Sequence, residues 1–118
     1  MTESILRTKS KEFATSIVLL CRELRENDVE YVLINQLLRS GTSVGANIHE
    51  AQYAQGTKDF ISKLEIALKE CNESEYWLEL LCETNSVTQQ QFDVFRKRCI
   101  ELRRMLVSSI TTLKQKSN

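Results

Sequence analysis

The chain has 118 residues, of which 42% are hydrophobic and 27% charged. These values are ordinary for a globular protein and exclude a disordered or low-complexity chain, and the length predicts one domain with one core. Sixteen Lys and Arg residues balance sixteen Asp and Glu residues. No net positive charge therefore points to nucleic acid or to an anionic membrane, and such a partner would need a local patch.

Helix-breaking residues are almost absent, since the sequence has no Pro and only three Gly. An all-α chain is therefore predicted. Neither a signal peptide nor an apolar stretch approaching the roughly 18 residues of a membrane span is visible, so we expect a cytoplasmic protein without a membrane partner. The four cysteines form no C-x-x-C pair and lie in or beside apolar stripes, as reduced core cysteines do. They are Cys21, Cys71, Cys82 and Cys99.

Two helices are predicted in the first half of the chain. The first covers residues 4–26, and the second covers residues 28–55, because Asn27 followed by Glu30 resembles an N-cap with its reciprocal acid. Apolar residues recur in both at the spacing of one helix face. These stripes are Phe13, Ile17, Leu20 and Leu24, then Ile34, Leu37, Gly41, Val44 and Ile48.

Two further helices are predicted in the second half, over residues 58–84 and 89–114. Gly56 gives a C-terminal stop and Thr57 a new N-cap, while Thr88 and Gln91 form a capping box before the last helix. Val87 and Phe92 occupy the hydrophobic-staple positions around that box. The apolar stripes are Phe60, Leu64, Ala67, Cys71, Leu78 and Leu81, then Phe92, Phe95, Cys99, Leu102, Leu106, Ser109 and Leu113.

Short links between four amphipathic helices make sequential helices neighbours. The predicted architecture is therefore an antiparallel, up-down-up-down four-helix bundle, and without a distinct linker residues 1–118 form one domain. Gly41 and Gly45 each cost about 0.8–1 kcal/mol inside a helix relative to Ala. Their position on the core face predicts a close approach of another helix.

The second helix is unusually poor in charge, because residues 31–57 contain only Arg39 and Glu50. At roughly 100° per residue these two share a polar face with Ser43 and Asn47, opposite the apolar stripe, and Ser40 flanks that face. The face is either solvated or buried against another subunit. The charge deficit favours burial.

The third helix is apolar on a second side. Ile66, Tyr76, Trp77 and Leu80 point away from its main stripe in this prediction, and a single bundle has no second core to receive them. Trp and Tyr are enriched at the centres of protein interfaces, so this side favours an oligomer or a protein partner. The alternative is a scatter of exposed apolar residues, which is common on protein surfaces.

Charge is segregated along the second half of the chain. Residues 57–86 carry three basic and seven acidic side chains, whereas residues 87–118 carry seven basic and two acidic ones. The last helix is therefore the only candidate for a phosphate-binding surface. Its candidate residues are Arg96, Lys97, Arg98, Arg103 and Arg104. The alternative is pairing with the acidic third helix, and no aromatic residue interleaves the basic cluster to stack on bases.

Catalytic residues are hard to assemble from this sequence. His49 is the single histidine, and no spacing brings a nucleophile to it, so a surface or interface position is predicted. No E-x-x-H pattern supports a di-iron carboxylate bundle. We therefore expect a protein that is not an enzyme and that has no cofactor, metal or small-molecule substrate.

Residues 36–51, QLLRSGTSVGANIHEA, followed by KDFI at 58–61 and IALKE at 66–70, resemble the four-helix bundle family of 23S ribosomal RNA intervening-sequence proteins. The specific core of the resemblance is R-S-x-x-S-x-x-A-N-I-x-E. Relatives include the accessory variability determinants of diversity-generating retroelements. The chain departs from the commoner N-I-A-E-G pattern at His49 and Ala51.

The resemblance implies a small bacterial protein without known enzymatic activity that forms a homopentameric ring. It places the family motif on Arg39, Ser40, Ser43, Asn47 and Glu50, as structural residues of bundle and ring. For the retroelement relatives it implies a basic ring surface that engages nucleic acid and a reverse transcriptase. In this chain the matching surface is the fourth helix.

Two functional hypotheses follow. In the first, the chain is a non-enzymatic oligomer that binds RNA or a nucleoprotein through phosphate contacts of the basic helix, without base specificity. In the second, it is a protein-interaction scaffold in which the basic helix pairs with acidic residues and exposed aromatic residues dock a protein partner. A steep salt dependence of RNA binding is expected only from the first.

Overall fold

The computed structural model describes the backbone of residues 2–117 and the side chains of residues 5–116. This part of the chain forms four helices and no strands, so the predicted all-α class is confirmed. The helices are α1 (Thr2–Glu26), α2 (Tyr31–Ala51), α3 (Thr57–Glu83) and α4 (Gln89–Ser117). None of them combines the length and apolarity that crossing a membrane requires.

Each helix packs antiparallel to the next one along the chain, and α4 returns beside α1, which completes a bundle of 49 × 22 × 20 Å. Contacts between neighbouring helices agree with this direction. They are Arg7 with Gln52, Ser40 with Ser74, Cys71 Sγ with the Cys99 carbonyl, Lys114 with Glu65, and Phe13 with Phe95.

The core is one cluster drawn from all four helices. Every residue of the predicted α1 and α2 stripes is buried, which confirms both faces. The α3 and α4 stripes are buried over most of their length, while Phe60, Ser109 and Leu113 at the helix ends are half-buried. Cys21, Cys71 and Cys99 are buried thiols as predicted, and Cys82 is a half-buried one.

The turn between α1 and α2 differs from the prediction. Asn27 does not cap α2 but ends α1, where Asp28 adopts a left-handed conformation with φ 56°. The Val29 N–H then bonds to the Leu24 carbonyl and the Asp28 N–H to the Arg25 carbonyl, which is the Schellman arrangement. α2 therefore begins three residues later than predicted, after Glu30, whose side chain makes no cap hydrogen bond.

The link between α2 and α3 also differs, because α2 ends at Ala51 and not at residue 55. The N–H groups of Gln52 and Tyr53 bond to carbonyls three residues back, which tightens the chain into a turn before the glycine is reached. Gly56, not Thr57, is the N-cap residue of α3. The Asp59 carboxylate accepts from the Gln55 N–H at 3.2 Å, which fixes the entry of the helix.

The start of α4 confirms its predicted capping box. The Gln91 N–H donates to Thr88 Oγ1 at 3.0 Å, and the Thr88 N–H donates to Gln91 Oε1 at 2.9 Å. Val87 and Phe92, on either side of the cap, are both buried. Two of the unpaired N–H groups at this helix end are thus satisfied by side chains.

The two helical glycines confirm the predicted close approach, which brings α1 against α2. A Cβ atom at Gly41 would lie 2.8 Å from Ile17 Cγ2, and one at Gly45 would lie 3.2 Å from the Ser10 carbonyl oxygen. Both distances are shorter than ordinary van der Waals contact between such atoms. A side chain at either position would therefore require the facing atoms of α1 to shift, by less at Gly45 than at Gly41.

Candidate interaction surfaces

The structure brings the polar stripe of α2 and the second apolar side of α3 together on one outward surface, here called the α2/α3 face. It carries Arg39, Ser43, Asn47 and Glu50 from α2 and Ile66, Tyr76, Trp77 and Leu80 from α3. Two features that the sequence offered separately thus form one continuous surface.

Arg39 joins the two helices across this face. Its guanidinium pairs with Glu70 at 2.9 Å and with Glu73. Glu73 also accepts a hydrogen bond from Trp77 Nε1 at 3.0 Å. Arg39 therefore has its charge partners inside the chain, the two carboxylates exceed it by one negative charge, and the network positions the indole of Trp77.

Ser40 does not lie where the sequence predicts. The prediction places it beside the polar face of α2 as a subunit-interface candidate. Ser40 is fully buried between α2 and α3, where the Ser74 hydroxyl donates to its Oγ at 3.0 Å. The Ser40 hydroxyl itself donates to the Leu37 carbonyl. Ser40 has no exposed surface to offer another subunit, so its role lies in the bundle.

Ser43 and Asn47 use their polar groups within α2. The Ser43 hydroxyl donates to the Arg39 carbonyl at 2.7 Å, and Asn47 Nδ2 donates to the Ser43 carbonyl at 2.8 Å. Both side chains are half-buried, and Glu50 beyond them is exposed. This part of the α2/α3 face is polar, and Glu50 is its one charged side chain.

The α3 side of this face is only partly exposed. Ile66 is exposed as predicted, whereas Trp77 and Leu80 are half-buried and Trp77 packs against the core. Tyr76, 56% exposed, meets the Trp77 ring edge-on at a centroid distance of 5.0 Å. The prediction that these side chains point away from the core is therefore confirmed for Ile66 and Tyr76. It is only partly correct for Trp77 and Leu80, which are half-buried.

The basic cluster of α4 is divided between two environments, and the first is an ion-pair network with α3. Glu75 accepts from Arg103 at 2.8 Å and lies 3.5 Å from Arg96. Arg103 also donates to Asn72 at 3.0 Å. The hydrogen bond to Glu75 raises the pKa of Arg103. For Arg96 and Arg103, the alternative of pairing with acidic α3 is thus the one observed.

The second environment is the outer surface of α4. Lys97, Arg98 and Arg104 are exposed there, and among the side chains that the structure describes none forms a salt bridge with them. Arg98 lies over the Phe95 ring at 5.5 Å from its centroid. These three cations form what we call the outer α4 cations.

A groove of about 610 Å³ lies between the outer sides of α1 and α4. Phe13 and Leu102 lie at its base, Leu19 is 56% exposed on its α1 wall, and Arg98 reaches in from α4. A salt bridge of 3.2 Å joins Lys9 to Glu101 across it. Of the outer α4 cations, Arg98 therefore borders an open, partly apolar groove, while Lys97 and Arg104 lie on the α4 surface beside it.

A second groove, of about 510 Å³, lies between α1 and α2 and has no counterpart in the sequence interpretation. It is lined by cationic Arg7 and Lys11, by His49 and by small residues. The periodicity of α1 and α2 marks their buried faces, whereas this groove runs along the flanks. Only the helix register, which pairs Arg7 with Gln52, brings these groups together.

The cysteine thiols, which are candidate nucleophiles, are buried or half-buried. Burial raises the pKa of Cys21 to about 11. Contact with the Cys71 thiol, with burial, raises the pKa of Cys99. These thiols stay protonated near neutral pH and are poor nucleophiles. Within the described side chains, no group of three or more His, Cys, Asp and Glu residues is arranged to hold a metal ion.

A family model and a solved structure both match this chain over most of its length. The family model for the 23S rRNA-intervening sequence protein matches residues 2–108. A crystal structure of a protein of unknown function from the S23 ribosomal protein family of Bacteroides thetaiotaomicron is similar, with 48% sequence identity and a TM-score of 0.91. The match covers 94% of this chain and 99% of that chain. No curated protein matches this sequence.

Proposed function

We propose a function from one premise, that the chain belongs to the 23S rRNA-intervening sequence protein family. In this proposal it is a non-enzymatic bacterial protein that assembles into a homopentameric ring in the cytoplasm. The ring binds RNA, or a nucleoprotein, through phosphate contacts of the outer α4 cations. Neither a cofactor nor a metal takes part.

Self-association is supported by the α2/α3 face. Its α2 part is nearly uncharged, and its α3 part exposes Ile66 and Tyr76 beside the half-buried Trp77. Depletion of charge together with aromatic residues is typical of the core of a protein interface. Arg39 requires no partner from outside, because Glu70 and Glu73 neutralise it within the chain.

Binding of nucleic acid is supported by one observation above the others. Lys97, Arg98 and Arg104 remain exposed without a described carboxylate partner, although α4 packs beside the strongly acidic α3. Such a group of cations attracts phosphates without reading bases. Arg96 and Arg103 are assigned to holding α4 against α3, since Glu75 pairs with both.

Native mass spectrometry of protein purified at low salt tests both parts of the proposal. We expect a five-subunit mass that carries nucleic acid, which is removed when the salt concentration is raised. A monomer would contradict the assembly. A pentamer that is free of nucleic acid and does not bind added RNA would contradict the nucleic-acid part.

A protein-interaction scaffold without direct nucleic-acid binding is the second candidate. The observation that favours it is the Glu75 network, because it engages two of the five candidate cations, Arg96 and Arg103, and offsets one of their two positive charges. In this function the Tyr76–Trp77 pair docks a protein partner. RNA binding that is insensitive to replacement of the outer α4 cations, or absent, would favour the scaffold.

A further inference from the structure

The groove between α1 and α2 carries cations that the proposed function does not use. It is bordered by Arg7 and Lys11, one helical turn apart on α1, and by His49 on α2. Among the side chains of residues 5–116, none that lines this groove is a carboxylate. A ligand in it would meet positive charge and hydrogen-bond donors, which is the environment that a phosphate group requires.

Arg7 is held in place at one end of this groove. Its Nη1 donates to Gln52 Oε1 at 2.9 Å, a bond that bridges α1 and the end of α2. A guanidinium has five N–H donors, so this bond leaves donors for a second acceptor. An orientation fixed in this way reduces the entropy that a ligand must remove when it binds.

The floor of the groove is made of small residues. Ala14 comes from α1, while Gly45 and Ala46 come from α2. Because Gly45 already allows the helices to approach closely, the floor has little side-chain bulk. An extended chain can therefore lie along the groove between the two helix flanks.

An exposed aromatic ring stands beside this groove. Tyr53 is 71% exposed, and its ring centroid lies 5.6 Å from that of His49, which lines the groove. Aromatic side chains next to a basic groove stack on unpaired bases of any sequence. A base paired in a duplex cannot reach such a ring, so the combination selects single strands.

We propose that this groove binds an unpaired stretch of a nucleic acid, with phosphates at Arg7 and Lys11 and a base on Tyr53. The inference rests on the proposed nucleic-acid function and names its substrate class. Thr8 and Lys11 line both this groove and the one that Arg98 borders. Arg98, one of the outer α4 cations, and the new site therefore border two grooves that meet at Thr8 and Lys11 on α1.

Fluorescence anisotropy tests the site with a labelled single-stranded RNA of about 20 nucleotides and with its duplex, since OB-fold single-strand sites span roughly 4–16 nucleotides. Tyr53→Ala should weaken single-strand binding about tenfold, the effect of losing one stacked base, and should leave duplex binding unchanged. Tyr31→Ala is the matched control, because Tyr31 is also 71% exposed but lies at the other end of α2.

The phosphate part is tested with Arg7→Gln/Lys11→Gln. The slope of log affinity against log salt is negative. We expect it to become less steep by about 1.4, at roughly 0.7 for each lost contact with a single strand. Lys58→Gln/Lys69→Gln on α3 is the control with the same charge change, and both of its residues are exposed.

The outcomes separate the two proposals. Loss of binding in the groove variants, but not in their controls, supports the site. If the wild type binds RNA and the groove variants bind as it does, the site is refuted and the proposed function stands. If the wild type binds neither probe, the proposed function fails and the site fails with it.

Discussion

The α2/α3 contact and the α1/α4 contact are built from the same kind of amphipathic helix, yet they differ in closure. Between α2 and α3 the Ser40–Ser74 hydrogen bond is buried, and Arg39 spans the outer edge with two carboxylates. Between α1 and α4 a groove of about 610 Å³ stays open. Both contacts have buried apolar stripes, and they differ in that α2/α3 adds a buried hydroxyl pair and a two-carboxylate ion pair, whereas α1/α4 has one exposed salt bridge.

The largest difference should appear when one leucine from each region is truncated. Leu37→Ala on α2 removes a fully buried side chain, and we expect a loss of about 2–5 kcal/mol in the free energy of unfolding. Leu19→Ala in the α1/α4 groove removes a side chain that is 56% exposed, and should cost less than about 1 kcal/mol. Urea unfolding measures both. Equal losses of stability for the two variants would contradict the difference between a closed α2/α3 contact and an open α1/α4 contact.

A second test extends the comparison to the other side of α2. Gly41→Ala should improve helix propensity by about 0.8–1 kcal/mol, but its Cβ would lie 2.8 Å from buried Ile17. Overpacking of this kind costs about 1–3 kcal/mol, so we expect net destabilisation of about 1 kcal/mol. Gly56→Ala is the control, since its Cβ meets nothing within 4 Å. A stabilised Gly41→Ala variant would show that α1 and α2 can separate at little cost.

The buried hydroxyl pair provides a third test. A double-mutant cycle with Ser40→Ala and Ser74→Ala should give a coupling free energy of about 0.5–1 kcal/mol, because each single variant leaves the other hydroxyl with one partner fewer. The cycle is measured by denaturant unfolding. Additive effects would mean that the hydrogen bond does not stabilise the α2/α3 contact.

The smallest effect is expected for the surface ion pairs. Arg39→Gln removes contacts with two carboxylates and should cost about 0.5 kcal/mol, whereas Lys9→Gln, which breaks one pair across the α1/α4 groove, should cost less. The Arg39 and Lys9 side chains are 48% and 40% exposed, so solvent screens both interactions. Thermal unfolding at low and high salt distinguishes them. A larger loss for Lys9→Gln would contradict the comparison.

Helical periodicity was sufficient to predict four helices, their buried faces and the close approach at Gly41. Turn chemistry was predicted well where a side chain has one role, as at Thr88, and poorly at Asn27, because the same residue type suits the beginning and the end of a helix. The burial of Ser40 follows from the rotation of α2 against α3. Spacing along one helix does not determine that rotation.

The division of the α4 cations could not be predicted for a related reason. Arg103 and Arg104 are neighbours in sequence, but only Arg103 faces Glu75. Which of two adjacent residues faces α3 depends on the register of the two helices. The α1/α2 groove could not be predicted for the same reason, since Lys11 and His49 line one groove only through the packing of two helix flanks.

The central claim, that the outer α4 cations bind phosphates, is tested most directly by charge reversal. RNA affinity should be measured by anisotropy over a range of salt for Lys97→Glu/Arg104→Glu and for Lys58→Glu/Lys69→Glu on α3. Both variants change the net charge equally. We predict that the α4 variant loses most of its affinity and that the magnitude of its salt slope falls by about 1.4–1.8, at roughly 0.7–0.9 for each lost contact, while the α3 variant retains both. Equal behaviour of the two variants would contradict the claim.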